Sequence, residues 1–455
     1  MEPHSPRGTG LPVWKLAAYA APALPIAAFA TPLHIYLPPF YATDMGLGLT
    51  TVGTVMMAAR FWDLFTDPLM GALSDRFPSR WGRRRHWMVL SLPLLILSAF
   101  LVMFPGWFVG ERATAFYLLS ALFLLYVGYT MLTISHLAWG AELSDDYHER
   151  SRIMGFRELA QLCSMVMVLV IPAVLEQTGD ALTASRKVAA MGWYVIVLAP
   201  ITILFSVRLV GERAATPRPS IGFRRAVEVL VSNRFMVRIL LADLLISLPG
   251  AVRSAVYIFY ITAIVGAPEW AAVIMLSYFA AGPIAVPLWM KIGRLLPKHQ
   301  AAALGVLLHV VVSACYLIPG PGDTVLFAGL FFLSGIVYAG VPFLLRSIVA
   351  DVVDHDRLES GQDRAGLYYS LITTTQKVGG AVGIGLGYPL LDWLGFDPSG
   401  QNTQANLDGL RYVYAFVPVV SELLVVALLY RFPLDERMQR EIRTRIEARA
   451  AEDDG

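Results

Sequence analysis

Apolar runs of about 20 residues recur from one end of the sequence to the other, and no other feature narrows the fold so far. A helix rises about 1.5 Å per residue, so each run is long enough to cross the hydrocarbon layer of a bilayer. Backbone groups in lipid have no water to bond to, which leaves helices or a closed barrel, and continuous runs of this length select helices. Read in order, the runs give about twelve spans. Those of the first half centre near Ala27, Arg60, Ile96, Tyr126, Val166 and Val197, those of the second near Ser247, Ala280, Val310, Gly335, Val378 and Val420. The expected fold is an all-α membrane protein whose transmembrane helices form two six-helix halves. The first run, Val13 to Pro39, is too long for the h-region of a signal peptide and lacks a clear cleavage site, so it is read as the first span.

Composition agrees. Of 455 residues, 56% are hydrophobic and 15% charged, against about 25% charged in soluble domains. That argues against a secreted, nucleic-acid-binding or disordered chain. Lys plus Arg (36) nearly balance Asp plus Glu (34), so bulk charge gives no reason to expect a polyanionic partner. Cys163 and Cys315 fall inside apolar segments and are expected to pack as small hydrophobes.

Basic residues in short loops orient the spans. Arg76, Arg80, Arg83, Arg84 and Arg85 follow the second span, Arg150 and Arg152 the fourth, and Lys291, Arg294 and Lys298 the eighth, all on one face. The opposite face carries Asp44, the turn from Pro319 to Asp323 and a stretch from Phe396 to Gly409 without Lys or Arg. Both termini are therefore expected in the cytoplasm. The longest internal loop holds Arg213, Arg218, Arg224, Arg225 and Arg234 with Pro217 and Pro219, and reads as a linker. The chain then divides into an N-terminal half at 1–210, a linker at 211–234, a C-terminal half at 235–431 and a charged tail at 432–455. A repeat supports the halves: Gly71, Asp75, Arg76 and Gly82 after span two are echoed, in degenerate form, by Lys291, Gly293, Arg294 and Lys298 after span eight. Two related halves are the architecture of a large class of secondary transporters.

An ionised side chain at membrane depth costs at least about 2.5 kcal/mol on insertion scales, so each needs a partner or a role. The second span is the densest. Arg60, Asp63 and Asp67 lie at i, i+3 and i+7, along one helical stripe, with the hydroxyl of Thr66 nearby. Two carboxylates a turn apart repel, and one arginine balances only one of them, which makes the pair a candidate site for sodium or a proton. A structural ion pair holding helices together is the alternative. Arg157 and Glu158 in span five, Asp243 and Arg253 in span seven, Lys377 in span eleven and Glu422 in span twelve are the other charges at depth. Lys377 lies between Thr373 to Gln376 and the pair Gly379 and Gly380, a polar, small-residue face suited to lining a cavity with close helix contact. Asp243 and Arg253 are expected to pair within their own half. His34, His136 and His309 have no metal-ligand partner at useful spacing and read as packed or hydrogen-bonded residues. Trp139 is an interfacial anchor or a stacking platform for a ring-shaped solute.

The stretch Arg60-Phe-Trp-Asp63-Leu-Phe-Thr66-Asp67-Pro68-Leu-Met-Gly71, with Ser79-Arg80-Trp81-Gly82-Arg83 after it, resembles the signature of the glycoside-pentoside-hexuronide cation symporters, which include the melibiose permeases, within the major facilitator superfamily. Ala141 to Arg150 and Ala350-Asp351-Val352-Val353-Asp354 resemble two further stretches of that family, and the likeness covers nearly the whole chain. It implies the major facilitator fold, and a coupling sodium or proton bound by Asp63 and Asp67 with Thr66 beside them. It also implies solute contacts from Trp139, Arg157 and Lys377, and structural or gating charges at Arg60, Asp75, Arg76, Asp351 and Asp354. Thr66 stands where the melibiose permeases have asparagine, and the threonine position of span four falls on Leu132. The sugar-gripping aspartates of spans one and four are absent as well: span one has no acid, and Ser135 takes the place of the second. A less hydroxylated, amphipathic or acidic solute would suit Arg157 and Lys377 as counter-charges.

The expected function is cation-coupled symport of a small organic solute, a sugar or glycoside by resemblance, through alternating access in a bacterial inner membrane. The protein is expected to act as a monomer embedded in lipid, without a cofactor, nucleic-acid partner or enzymatic activity. A lipid-like solute is the alternative. An intramembrane prenyltransferase is more remote, since Asp145-Asp146-Tyr147-His148-Glu149 is a single acidic cluster without a second to face it.

Overall fold

The computed structural model describes residues 11–77, 79–144, 147–177, 183–212, 233–360, 365–433, 438–439, 441–442 and 444–445. Residues 213–232 of the linker read at 211–234, the acidic cluster at Asp145 and Asp146, and most of the tail lie outside them. The described residues form helices and turns, and their one strand-like pairing is an isolated bridge between Ser79 and Gly82. The contacts divide the chain into two units, Met1–Gly48 with Ala58–Arg218, and Leu49–Met57 with Pro219–Gly455.

In the first unit the opening span is broken into α1 (Val13–Ala20), α2 (Ala23–Thr31), a π turn at Pro32–Tyr36 and α3 (Leu37–Thr43). Prolines at 22, 25, 32, 38 and 39 explain the breaks, because each removes a backbone donor and crowds the preceding turn. Then follow α4 (Leu49–Arg76), of which Leu49–Met57 is grouped with the second unit, α5 (Arg85–Met103), the short α6 (Gly106–Val109), α7 (Ala115–Glu142), α8 (Tyr147–Gln177) and α9 (Ala184–Leu209). Thr114 caps α7 by accepting from the Tyr117 N–H. The arginine-rich turn before α5 is pinned by Glu212, whose carboxylate accepts the backbone N–H groups of Arg83, Arg84 and Arg85, the last two at 2.6 Å. Those donors open a helix and have no partner within it, so an anion is well placed there. Gly82, at φ +115°, admits the carboxylate where a Cβ would collide with it. Glu142 takes Arg83 at 2.5 Å and Arg84 at 2.8 Å from the other side.

The second unit contains α10 (Arg234–Tyr260), a π turn at Ile261–Val265, a single 3-10 turn at Pro268–Trp270, α11 (Ala271–Leu295), α12 (Lys298–Cys315), α13 (Thr324–Tyr338), α14 (Gly340–Ser360), α15 (Ala365–Trp393) and α16 (Gln404–Tyr430). Asn233 caps α10, and a reciprocal Thr403–Asn406 box opens α16. Its core gathers Met236, Ile239, Trp289, Val306, Val341 and Leu344, with the Trp289 indole donating to the Ile336 carbonyl at 2.8 Å. The glycines of α15 serve close packing. A Cβ on Gly379 would meet Ser247 at 2.7 Å, and one on Gly383 would collide with the Leu248 carbonyl, both on α10. Thr373 and Thr374 are exposed, and Lys377 is half-buried.

Ten segments among the described residues are long and apolar enough to cross a membrane. The two expected spans outside that set are α4, which carries Arg60, Asp63 and Asp67, and α15, diluted by Gln376, Lys377 and its glycines. Both have the length to cross, at 28 and 29 residues. Many large apolar side chains on the helices face outward, Phe65, Leu69, Phe116 and Val325 among them, as a lipid solvent allows and water does not. Cys163 is exposed on α8 rather than packed inside, and Cys315 is half-buried.

Candidate functional site

Helix α4 buries the stripe that its spacing predicts: Asp63 is fully buried, Thr66 buried, and Asp67 and Arg60 half-buried. The facing helix is α7, where Phe123 stacks on Trp62 with ring centres 5.1 Å apart. From α7 the Thr130 hydroxyl stands 2.7 Å from Asp63 Oδ1 and 3.1 Å from Asp67 Oδ1. It therefore spans the two carboxylates, and its single proton serves one of them at a time while its lone pairs remain. Thr66 Oγ1 lies 3.5 Å from Thr130 Oγ1 and donates to the Asp63 carbonyl at 3.2 Å.

Arg60 is held in three ways. Nη1 is 3.5 Å from Asp63 Oδ2, Nη2 donates to His34 Nε2, and the guanidinium lies over the Tyr126 ring, 5.2 Å from its centre. A 3.5 Å separation is the loose end of an ion pair, so two carboxylates crowd together beside one partly engaged cation. Among the described residues no group of three or more His, Cys, Asp or Glu gathers in metal-binding fashion. A hard cation here would draw on carboxylate and hydroxyl oxygens, the donor set such ions prefer.

The structure thus supplies the span-four hydroxyl from Thr130, two positions before Leu132, which is fully buried. His34 and Tyr126 likewise belong to this site and were not singled out for it by the sequence. Apolar helices give no signal for which hydroxyl faces a neighbour. The one available clue is that His34, Arg60, Tyr126 and Thr130 are polar or aromatic residues inside the first, second and fourth of the long apolar runs.

A second cluster lies on α1, α7 and α8 of the same unit. Trp139 and Ser135 are fully buried one turn apart. Tyr19 meets Trp139 edge-on at 5.9 Å, lies 4.6 Å from the His136 ring and donates its hydroxyl to the His136 carbonyl at 3.1 Å. His136 Nε2 is 2.7 Å from the Tyr19 carbonyl, so it carries the proton and Nδ1 holds a lone pair. Arg157 acts electrostatically on both Tyr19 and His136, and its Nη1 pairs with Glu158 at 3.0 Å. Four buried atoms here have no hydrogen-bond partner among the described residues: Ser135 Oγ, His136 Nδ1, Trp139 Nε1 and Arg157 Nε. Unsatisfied buried polar groups are costly and rare, which marks the cluster.

The remaining charges are placed as follows. Lys377 belongs to the second unit, where its neighbour Gln376 donates to Asp243 at 3.2 Å. Asp351 receives Lys298 at 2.8 Å and also Gln439, and Asp354 is half-buried. Arg76 is exposed at the end of α4 beside the Phe77 ring, and the Asp75 side chain lies outside the description. Arg253 is not paired to Asp243 as the sequence suggested. Its guanidinium reaches Ser313 at 2.7 Å and His309 at 3.3 Å, and His309 in turn contacts Glu422 at 2.8 Å and Ser334 at 2.7 Å.

Comparison with known proteins places the fold and the family. The chain is similar to the inner membrane symporter YicJ of Escherichia coli K12 (25% identical over 88% of this chain and 86% of that protein). It is also similar to a glucuronide carrier protein homolog of the same organism (22%; 91% of each) and to the sodium-dependent lysophosphatidylcholine symporter 1 of Gallus gallus (22%; 89% and 81%). Among solved structures it resembles the nucleoside transporter NupG (TM-score 0.65, 13% identical, 92% of this chain and 99% of that one) and a D-xylose-proton symporter (0.64, 13%, 93% and 98%). These structures share the major facilitator fold with it, and all these proteins are transporters. A family model described as MFS/sugar transport protein matches residues 18–436, and the chain, an integral membrane transporter and not an enzyme, belongs to that family.

Proposed function

We propose that this protein is a cation-coupled symporter of a small organic acid, a sugar or glycoside bearing a carboxylate or phosphate, in a bacterial inner membrane with both termini in the cytoplasm. The single observation that carries the coupling is Thr130 standing between Asp63 and Asp67, which assembles carboxylate and hydroxyl oxygens around one buried point. Two carboxylates one helical turn apart, bridged by a hydroxyl, are an oxygen donor set suited to sodium or a proton. Binding of that ion stabilises the state with the higher solute affinity, and its release resets the cycle, which is a linkage between two bound species.

The solute class follows from the second cluster. Trp139 Nε1 and Arg157 Nε are fixed donors, Ser135 supplies a hydroxyl, and His136 Nδ1 is an acceptor. An anionic group with a neighbouring hydroxyl satisfies that set, and Ser135 lacks the negative charge that would repel it. These atoms are covered in the present conformation, so a solute meets them only in a state in which their neighbours have moved. The glucuronide carrier homolog, a relative named for an acidic solute, supports this class. The lysolipid remains a second reading, favoured by a first span without an acid.

Purified protein in vesicles, offered labelled glucuronides, neutral glycosides and lysophosphatidylcholine under imposed sodium or proton gradients, tests both points. Accumulation of the glucuronide driven by one gradient is the expected result. Uptake that ignores both gradients, with Asp63→Asn fully active, overturns the coupling; transport of neutral glycosides alone overturns the solute class.

A further inference from the structure

The Arg60 guanidinium lies close enough to Asp63 to compete with any cation for it, yet the two stand 3.5 Å apart. A relaxed guanidinium–carboxylate pair closes to about 2.7–2.9 Å and is often bidentate. Something holds the arginine back. We propose that His34 is a positioning residue that keeps Arg60 off the carboxylate pair, so that a cation and not the arginine neutralises Asp63 and Asp67. The inference rests on the symport reading above.

The hydrogen bonds fix how His34 does this. Its Nδ1 is 2.6 Å from the Ala30 carbonyl, which can only accept, so Nδ1 carries the proton. Nε2 is then a bare lone pair, and it takes the Nη2 proton of Arg60, a group that stays protonated in proteins. One neutral tautomer serves both bonds. The backbone explains the direction of the ring: His34 sits in the π turn Pro32–Tyr36, where an extra residue per turn rotates the following side chains relative to a regular helix. Proline at 32 brings no N–H to the helical ladder, which suits the wider turn. Tyr126 completes the restraint, its ring lying against the guanidinium. With Nη2 on His34 and the flat face on Tyr126, only Nη1 reaches toward Asp63.

Half-saturating cation concentration for uptake, and cation binding measured directly by calorimetry, read this out in reconstituted full-length protein. His34→Ala frees Nη2 to swing onto the carboxylates and is expected to raise the half-saturating concentration about tenfold. His34→Gln retains an acceptor and restores it to within about threefold of wild type. In an Arg60→Ala background the competing cation is gone, so adding His34→Ala produces no further shift. Should alanine cost the fold, His34→Leu serves for the same measurement. An unmoved half-saturation in His34→Ala or His34→Leu, or a glutamine variant no better than alanine, overturns the inference while leaving symport intact. Wild-type uptake indifferent to every cation overturns both.

Discussion

Each unit buries a charge cluster in its helices, and the two are built to opposite accounts. In the second unit Arg253, His309 and Glu422 form a chain closed by Ser313 and Ser334, one guanidinium against one carboxylate with hydroxyls at 2.7 Å. Tyr316 and Tyr414 flank the guanidinium, 5.3 and 5.6 Å from its centre. In the first unit Asp63 and Asp67 share one hydroxyl, and the neighbouring arginine is turned partly away toward His34. A cluster whose charges cancel can hold a fold together. A pair of acids that share one hydroxyl at membrane depth offers its oxygens to a mobile counter-ion.

Neutralising either acid of the first unit gives the largest expected effect. Asp63→Asn or Asp67→Asn removes a charged oxygen ligand and leaves Arg60 to saturate the other carboxylate. Cation-driven accumulation is expected to fall at least about 100-fold, matching the few kcal/mol that a lost partner costs at a buried charge. Downhill exchange of solute under equal cation on both sides is the control that separates lost coupling from lost folding. Accumulation retained in both variants would erase the contrast between the clusters.

Glu422→Gln addresses the other side of the comparison. Removing the carboxylate that His309 and Ser313 link to Arg253 leaves a buried cation without its counter-charge, a loss of about 3–5 kcal/mol of stability. Thermal unfolding in detergent is expected to show it, while the cation dependence of the surviving protein stays that of wild type. A shifted half-saturating cation concentration with unchanged stability would place coupling in the second unit too.

Much of this was legible in the sequence, and the reasons are physical. Spans declare themselves through length and apolarity, and α4 announced its stripe because Arg60, Asp63 and Asp67 repeat with the helical period. Even so, α4 and α15 are the two helices that hydropathy alone passes over, since the residues that give them a role also dilute their apolar runs. The partner of the stripe was not legible. Thr130 and Leu132 are two residues apart, about 200° around a helix, so choosing one or the other puts the hydroxyl on opposite faces. Only the rotation of α7 against α4, a product of packing, decides between them. Glu212 was hidden for a different reason: its value lies in the backbone donors of Arg83, Arg84 and Arg85, which no side-chain pattern encodes.

Thr130→Val keeps the shape of that side chain and deletes the bridging oxygen. A hydrogen bond to a charged group contributes about 1.5–3 kcal/mol, so the half-saturating cation concentration is expected to rise about tenfold or more. Leu132→Ala, on the other face of α7, leaves it unchanged. The reverse pattern would return the hydroxyl-bearing role to the neighbourhood of Leu132 and undo the geometry on which the first cluster rests.

The smallest effect is expected at Thr66. Its hydroxyl gives its proton to the Asp63 carbonyl at 3.2 Å and reaches Thr130 Oγ1 only at 3.5 Å, the outer limit of a hydrogen bond. A neutral bond of this kind is worth about 1 kcal/mol, so Thr66→Ala is expected to raise the half-saturating concentration by no more than about fivefold. The comparison between sodium and protons makes the measurement sharper. A lone carboxylate suffices for a proton, whereas sodium needs additional oxygens, so a Thr66→Ala effect confined to sodium identifies the hydroxyl as a ligand. An equal shift for both ions assigns Thr66 to the support of Asp63 through its backbone instead.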